Sequence, residues 1–133
     1  MLSRAIAVVA VCLWSAGATA QDRDAQQIIS DQMAAFAAGD MDMAFTYASP
    51  GIQRQFGTPE TFGQMVEQGY PMVWRPAEVL FLDDRTEGGA LVQRVMITDQ
   101  GGRVHVLDYY MQTDGSGLRI GGVRIVPAPG VGA

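Results

Sequence analysis

The sequence predicts an α+β fold in which N-terminal helices pack on one side of a four-stranded antiparallel sheet. Apolar residues recur at helical spacing from Asp24 to Gly69. From Val73 onward, apolar and polar residues alternate with a period of two, as they do in half-buried strands. The predicted strands are joined by short segments rich in Asp and Gly, so consecutive strands should pair antiparallel.

The first two helices are delimited by residues that typically begin and end helices. The first begins at Asp24, in a capping-box pattern, and ends at Gly39. Asp40 is a suitable N-cap for a second helix, at about 41–48, which is predicted to bury Phe45, with Ala44 and Ala48 as further candidates.

The third helix has the strongest start signal in the chain. Ser49-Pro50-Gly51 ends the second helix, because a proline disfavours helical conformation in the residue before it. Residues 52–56 are predicted to form a short helical turn. Thr58-Pro59-Glu60 then supplies a hydroxyl cap, a proline at the first helical position and an acid near the positive end of the helix dipole. Its inner stripe consists of Phe62, Met65 and Val66, and Gly69 ends it.

Four strands follow, and two assumed turns fix which side of the sheet each residue occupies. The predicted strands are Pro76 to Asp83, Leu91 to Thr98, Arg103 to Thr113 and Leu118 to Val126. The simplest closures place Asp99 opposite Gly102 and Thr113 opposite Leu118. One side is then nearly all apolar and should receive the helices: Leu91, Gln93, Val95, Ile97, Val104, Val106, Asp108, Tyr110, Val123 and Ile125. The other side is mixed and should face outward: Arg94, Thr98, Arg103, His105, Leu107, Tyr109, Met111, Arg119, Ile120 and Arg124.

Gln93 and Asp108 are the two polar exceptions on the predicted inner side, where they would be cross-strand partners. A buried carboxylate needs hydrogen bonds or takes up a proton, because desolvation penalises its charged form. One hypothesis makes Asp108 a general base or ligand anchor. The other makes it a structural group held by Gln93, by a tyrosine hydroxyl or by an arginine. The predicted ligand-binding set is Gln93, Asp108, Tyr110, Tyr47, Tyr70 and Trp74.

His105 and the junction between the third helix and the sheet receive structural interpretations. His105 is the only histidine, and we predict an exposed or structural role because no second histidine is present to build a metal site. Tyr70, Trp74 and Arg75 lie at the helix-to-sheet junction, where they could grip a planar or anionic ligand or simply pack. We predict no metal and no cofactor.

The first twenty residues have the pattern of a secretory signal peptide. Arg4 is followed by an apolar run from Ala5 to Trp14, and Ala18-Thr19-Ala20 is a cleavage site of the A-x-A type. The sequence therefore predicts cleavage between Ala20 and Gln21 and a periplasmic or secreted protein without a stable membrane anchor. The remainder is divided into a single α+β domain at 21–126 and a disordered tail at 127–133.

Composition excludes several kinds of chemistry and partner. Cys12 is the only cysteine and would leave with the signal, so the mature chain forms no disulfide and has no thiol nucleophile. All nine basic residues are arginine, which excludes Schiff-base chemistry. Without Arg4 the formal net charge is −6. A domain with this negative charge is unsuited to binding nucleic acid, because that affinity depends on neutralising phosphate groups with basic side chains.

Several short segments resemble the domain of unknown function 4864 family, within the nuclear transport factor two-like superfamily. The resemblance lies in Ala44-Phe45-Thr46-Tyr47-Ala48-Ser49-Pro50, Phe56-Gly57-Thr58-Pro59, Phe62-Gly63-Gln64-Met65-Val66, Gly69-Tyr70-Pro71, Trp74-Arg75-Pro76 and Leu118-Arg119-Ile120-Gly121-Gly122-Val123. It implies a cone in which the helices occupy the concave face of a curved sheet. It also implies a secreted or periplasmic bacterial domain without an assigned activity. The wider superfamily includes enzymes, binders and dimerising modules, so the fold does not select a function.

Two functions and one assembly remain open at this point. The first is a non-catalytic module that binds a small apolar ligand or another partner. The alternative is an isomerase- or dehydratase-like enzyme acting on a small hydrophobic substrate with Asp108 as its base. The outer side of the sheet could also form a homodimer, with an apolar centre of Leu107, Tyr109, Met111 and Ile120 inside an arginine rim.

Overall fold

In the part of the chain that the structure describes, five helices precede a four-stranded antiparallel sheet, which confirms the predicted α+β class. The structure, a computed structural model, describes residues 20–115 and 117–127, with side chains from residue 24 onward. The predicted signal peptide up to residue 19, and the predicted tail after Pro127, lie outside the described residues. The helices are α1 (Ala20–Ala37), α2 (Met41–Thr46), α3 (Pro50–Phe56), α4 (Pro59–Gly69) and α5 (Pro71–Trp74). The strands are β1 (Pro76–Glu87), β2 (Ala90–Asp99), β3 (Val104–Asp114) and β4 (Gly117–Val126), paired in chain order.

Two of the three predicted N-caps form, at Asp40 and Thr58, and several helix boundaries differ from the prediction. Asp40 accepts a hydrogen bond from the backbone of Met43 at 3.1 Å, and Thr58 accepts one from that of Thr61 at 3.2 Å. α1 begins at Ala20, so Asp24 lies inside the helix and is not its cap. α2 ends at Thr46, because Ser49 caps α3 by accepting from the backbone of Ile52 at 3.3 Å.

The first hairpin is tighter than predicted. We expected a loop over residues 84–89, but β1 continues to Glu87 and pairs with β2 up to Ala90. Only Gly88 and Gly89 form the turn, with positive φ angles of 57° and 82°. A two-residue hairpin turn of this kind requires left-handed backbone at both central positions, which glycine adopts without strain.

The predicted pairing of β2 with β3 is wrong by one residue. Asp99 opposes Arg103, not Gly102: the Asp99 amide donates to the Arg103 carbonyl at 2.8 Å. The Asp99 carboxylate also accepts from the amides of Gly101 and Arg103, both at 2.9 Å, and Gly102 has a φ of 83°. A three-residue loop that ends in a left-handed glycine is therefore formed, and it shifts the register of β3 relative to β2.

Because of this shift, each side chain of β3 lies on the side of the sheet opposite to the predicted one, whereas most of β4 lies on its predicted side. Near its turn, β4 has the predicted register, with Thr113 opposite Leu118. A bulge at Gly121 then places Val123 opposite Tyr109, so the bulge offsets the slip between β2 and β3. The helix-facing side carries Val95, Ile97, Leu107, Tyr109, Met111 and Ile120, all of them buried in the core. The outer side carries Val104, Val106, Asp108 and Tyr110, contrary to the prediction.

One consequence concerns the predicted dimer face. Leu107, Tyr109, Met111 and Ile120 were expected to be its apolar centre, but they are buried against the helices. The outer side instead has an apolar row that crosses all four strands, formed by Leu80, Met96, Val106 and Val126.

The helices are tied to the sheet at β4 by backbone hydrogen bonds. The amide of Ser49 donates to the carbonyl of Ile120, and the amide of Ile120 donates to the carbonyl of Tyr47, both at 2.8 Å. These bonds hold the α2–α3 connection against the free edge of β4. Among the described residues, no helix combines the length with the hydropathy needed to cross a bilayer.

Candidate functional site

A cavity lies between the helices and the sheet, and we call it the helix–sheet cavity. Its volume is about 230 Å³. Its lining is mainly apolar and comes from α1, the α2–α3 connection, α3, α4, α5, β3 and β4. The lining residues are Gln32, Phe36, Ala48, Ile52, Gln55, Phe56, Phe62, Met65, Val66, Tyr70, Val73, Tyr109, Ile120, Gly121, Gly122 and Val123.

Phenylalanine rings form the helical wall of this cavity. Phe62, on α4, has its ring centroid 5.9 Å from that of Phe36 on α1 and 5.9 Å from that of Phe56 on α3. Phe45 packs behind Phe62 at 5.5 Å. Tilted ring pairs at such distances are favourable beyond their buried area. The Phe62 ring therefore joins α4 to each of α1, α2 and α3.

Tyr109 is a lining residue of the cavity that carries a buried, unpartnered polar group. Its side chain is fully buried, and its hydroxyl has no hydrogen-bond partner among the described residues. Burial raises the pKa of this phenol, and the neighbouring Tyr70 raises it further. The hydroxyl therefore stays protonated and can donate a hydrogen bond. Leaving a buried hydroxyl unpaired costs about 1–3 kcal/mol.

The sequence interpretation placed Tyr109 on the outer side of the sheet and so missed it. The signal that could have found it is the loop sequence Asp99-Gln100-Gly101-Gly102. An aspartate before the loop and a glycine at its end are typical of a three-residue hairpin loop. That choice of loop turns Tyr109 toward the helices.

Two other polar residues of the lining are bonded to backbone carbonyls. The Tyr70 hydroxyl donates to the carbonyl of Val123 at 3.2 Å. The Gln32 amide donates to the carbonyl of Ala44 at 3.2 Å. These side chains therefore hold α1 and α4 in place, and Tyr70 also covers part of the β4 edge.

Asp108 is fully buried as predicted, but it lies on the outer side, across the sheet from the cavity. It opposes Arg94, so its predicted opposition to Gln93 is wrong. Arg94 donates two hydrogen bonds to it, at 2.9 and 3.1 Å, and Arg85 donates one at 3.1 Å. An Arg124 nitrogen lies 3.9 Å away. The sequence offered Gln93, a tyrosine hydroxyl or an arginine as the partner of Asp108, and the structure shows that its partners are arginines.

This arrangement keeps Asp108 ionised. Hydrogen bonds from Arg94, followed by those from Arg85, hold the pKa of Asp108 below its ordinary value, although desolvation opposes them. A carboxylate that is ionised and doubly ion-paired is a weak proton acceptor. The geometry therefore favours the structural interpretation of Asp108.

The other predicted ligand-binding residues are dispersed, and Tyr70 alone among the six lines the described cavity. Gln93 faces the helices but is engaged, because its amide donates to the carbonyls of Leu82 and Arg94 at 2.8 and 2.9 Å. Trp74 packs on Phe36, with ring centroids 5.5 Å apart. The remaining two are partly buried: Tyr47, whose carbonyl accepts from Ile120, and Tyr110, on the outer side.

His105 differs from its predicted setting. It alternates with Leu107 and therefore lies on the helix-facing side, where its Nε2 is 2.8 Å from an Asp99 carboxylate oxygen. The prediction placed His105 on the outer side, and the register shift of β3 is what moves it. The pair closes the β2–β3 hairpin, and bonding to His105 lowers the pKa of Asp99.

The lowered pKa of Asp108 predicts a specific loss of stability in acid. A carboxylate whose folded pKa lies below its unfolded value of about 3.9 stabilises the fold fully above that value. This stabilisation is lost as the pH falls through the folded pKa. We therefore expect the stability gap between the wild type and Asp108→Asn, measured by urea unfolding, to be widest near neutrality and to close below about pH 4. Asp83→Asn, at an exposed site, is the control, and a gap that persists unchanged to pH 2 would contradict the assignment.

A comparison with family models gives one match for this chain. The model described as "Domain of unknown function (DUF4864)" matches residues 18–133 and so covers all the helices and strands described above. No curated protein matches the chain.

Proposed function

The chain belongs to the DUF4864 family, and from this premise we propose that it is a non-catalytic domain, exported from the cytoplasm, that binds a small apolar ligand in the helix–sheet cavity. The family description carries no activity, so the proposal depends on the cavity. The observation that supports it is the unpartnered Tyr109 hydroxyl in an otherwise mainly apolar lining.

The size and lining of the cavity are suitable for a small molecule. An engineered apolar cavity of about 150 Å³ binds benzene in another protein. A volume of about 230 Å³ accommodates a somewhat larger molecule. Ligand sites are typically apolar with a few placed polar groups, and the Tyr109 hydroxyl is such a group here.

The cavity chemistry favours binding over catalysis. Within the described residues, its lining contains no carboxylate, histidine or basic side chain. Asp108, the base of the enzymatic alternative, lies across the sheet and is held by arginines. Tyr109 can donate a hydrogen bond, but the group that would remove a proton from the substrate is missing from this lining.

Export is supported by the N-terminal pattern. A positive start, an apolar run and an A-x-A site precede Gln21. The mature chain would have no cysteine, so it would fold without disulfide formation in an oxidising compartment.

One experiment tests both parts of the proposal. The full chain is expressed in a Gram-negative host, recovered from the periplasmic fraction, and weighed intact under denaturing and native conditions. Under denaturing conditions we expect the mass of a chain that begins at Gln21. Under native conditions we expect that mass increased by the mass of a retained small molecule. An uncleaved chain in the cytoplasm would contradict export.

Two variants locate the retained molecule. Ile52→Phe adds volume to a partly buried residue of the cavity lining and should displace the molecule. Val104→Phe adds similar bulk on the outer side, where Val104 is 58% exposed, and should leave the molecule bound. Loss of the added mass in both variants, or in neither, would contradict a site in the helix–sheet cavity.

A further inference from the structure

We propose, building on the proposed function, that the ligand is an uncharged single-ring molecule whose carbonyl or similar oxygen accepts a hydrogen bond from the Tyr109 hydroxyl. The unpartnered donor, the absence of charge in the described lining, and the cavity volume together point to this class.

The hydrogen-bonding capacity of the lining points to an acceptor on the ligand. Gln55 is exposed to solvent, while Tyr70 and Gln32 already donate to the carbonyls of Val123 and Ala44. The Tyr109 hydroxyl is the buried side-chain group that lacks a partner in the described structure. It remains protonated because burial raises its pKa. A ligand that supplies an oxygen to this donor removes the penalty of an unsatisfied buried group.

The absence of charge in the described lining excludes ionic ligands. Moving a carboxylate or ammonium from water into an apolar cavity is very costly without a paired charge. The three arginines around Asp108 do not compensate, because they lie on the outer side of the sheet. An acid, an amine or a phosphate ester is therefore disfavoured.

The cavity volume and its aromatic lining favour a ligand with one ring. The cavity of about 230 Å³ exceeds the benzene-binding example of about 150 Å³ by roughly the space of a short substituent. Phe36, Phe56 and Phe62 line it, and the Phe62 ring packs against the other two. Aromatic contacts of this kind favour a planar guest.

Three matched compounds test the assignment by calorimetric titration of the mature protein. Acetophenone has a ring and a carbonyl, isopropylbenzene has nearly the same shape without an acceptor, and benzoate has the ring with a charge. We expect acetophenone to bind tightest and benzoate not to bind. Tyr109→Phe should weaken acetophenone about five- to tenfold and leave isopropylbenzene unchanged or tighter, because only the ketone loses a hydrogen bond. Tyr110→Phe, next to it but on the outer side, is the matched control.

A second readout does not depend on any variant. The ¹³C resonance of carbonyl-labelled acetophenone should move downfield on binding to the wild-type protein, as expected when a carbonyl accepts a hydrogen bond. A bound carbonyl resonance typical of an apolar solvent would overturn the inference, even if Tyr109→Phe fails to fold.

The outcomes separate this inference from the proposed function. If isopropylbenzene binds as tightly as acetophenone, and Ile52→Phe abolishes both, the cavity binds ligands but the acceptor class is wrong. If neither compound binds the wild type, and the periplasmic protein retains no molecule, the proposed function fails as well. Equal weakening of acetophenone by Tyr109→Phe and Tyr110→Phe would also overturn the role of Tyr109.

Discussion

Asp108→Ala is expected to lower the free energy of unfolding by about 3–4 kcal/mol at pH 7, since removing one member of a buried ion pair typically costs about 3–5 kcal/mol. The Asp108 carboxylate is fully buried and accepts three hydrogen bonds from Arg94 and Arg85. Its removal leaves these guanidinium groups close to one another and to Arg124 without the central negative charge. The expected loss is near the lower limit because the three arginine side chains are 37–60% exposed and regain water.

Urea unfolding of two further variants separates charge from shape. Asp108→Asn keeps the size of the side chain and should lose most of the same stability, because the charge is what the arginines bind. Asp83→Ala, at an exposed position on β1, should change stability by less than about 0.5 kcal/mol. If Asp108→Asn has wild-type stability but no longer binds acetophenone, the result would instead support the hypothesis that Asp108 binds the ligand.

Local signals in the sequence were sufficient for most of the helical half. Asp40, Ser49 and Thr58 all cap helices, because capping depends on a side chain and an amide three residues away. The errors at the end of α2 and the start of α3 arose where two signals overlap. Ser49-Pro50-Gly51 ends one helix and begins the next, so its proline indicated a stop while its serine acted as a cap.

The side of the sheet that β3 presents could not be obtained from its own pattern. Both of its alternations carry large apolar residues, with Val104 and Val106 on one side and Leu107 and Tyr109 on the other. Register then depends on the turn, and one additional loop residue reverses every side chain of the strand. An alternation pattern does not reveal the bulge at Gly121 either. The bulge returns Val123 and Ile125 to their predicted side although the predicted β2–β3 register was wrong, whereas Ile120, before the bulge, lies on the side opposite to the prediction.

The candidate site depends on this same register. Asp108 was identified as an unusual buried acid, and it is buried, but its arginine partners follow from the true pairing. The cavity and the unpartnered Tyr109 hydroxyl require both the orientation of β3 and the packing of four helices. Tyr70 was found because it lies at the end of α4, where its position depends little on strand register.

A direct test of this register is the replacement of Leu107 with alanine, which should lower the free energy of unfolding by about 2–5 kcal/mol. Leu107 is fully buried between the sheet and the helices, next to Val95 and opposite Ile125. Truncating it removes apolar contacts and leaves a void, and both effects reduce stability. The measurement is urea unfolding at pH 7, with an unchanged m-value as the sign that the native state is retained.

Val106→Ala is the matched comparison, because Val106 precedes Leu107 on β3 and faces the outer side, where it is only partly buried. We expect a loss of about 1 kcal/mol or less there, since a partly exposed side chain gives up little buried surface and creates no closed void. The register predicted from the simplest turns gives the opposite order, with Val106 in the core and Leu107 facing water. A larger loss of stability in Val106→Ala than in Leu107→Ala would therefore contradict the register described here. It would indicate that Asp108 lies on the helix-facing side and that Tyr109 does not line the cavity.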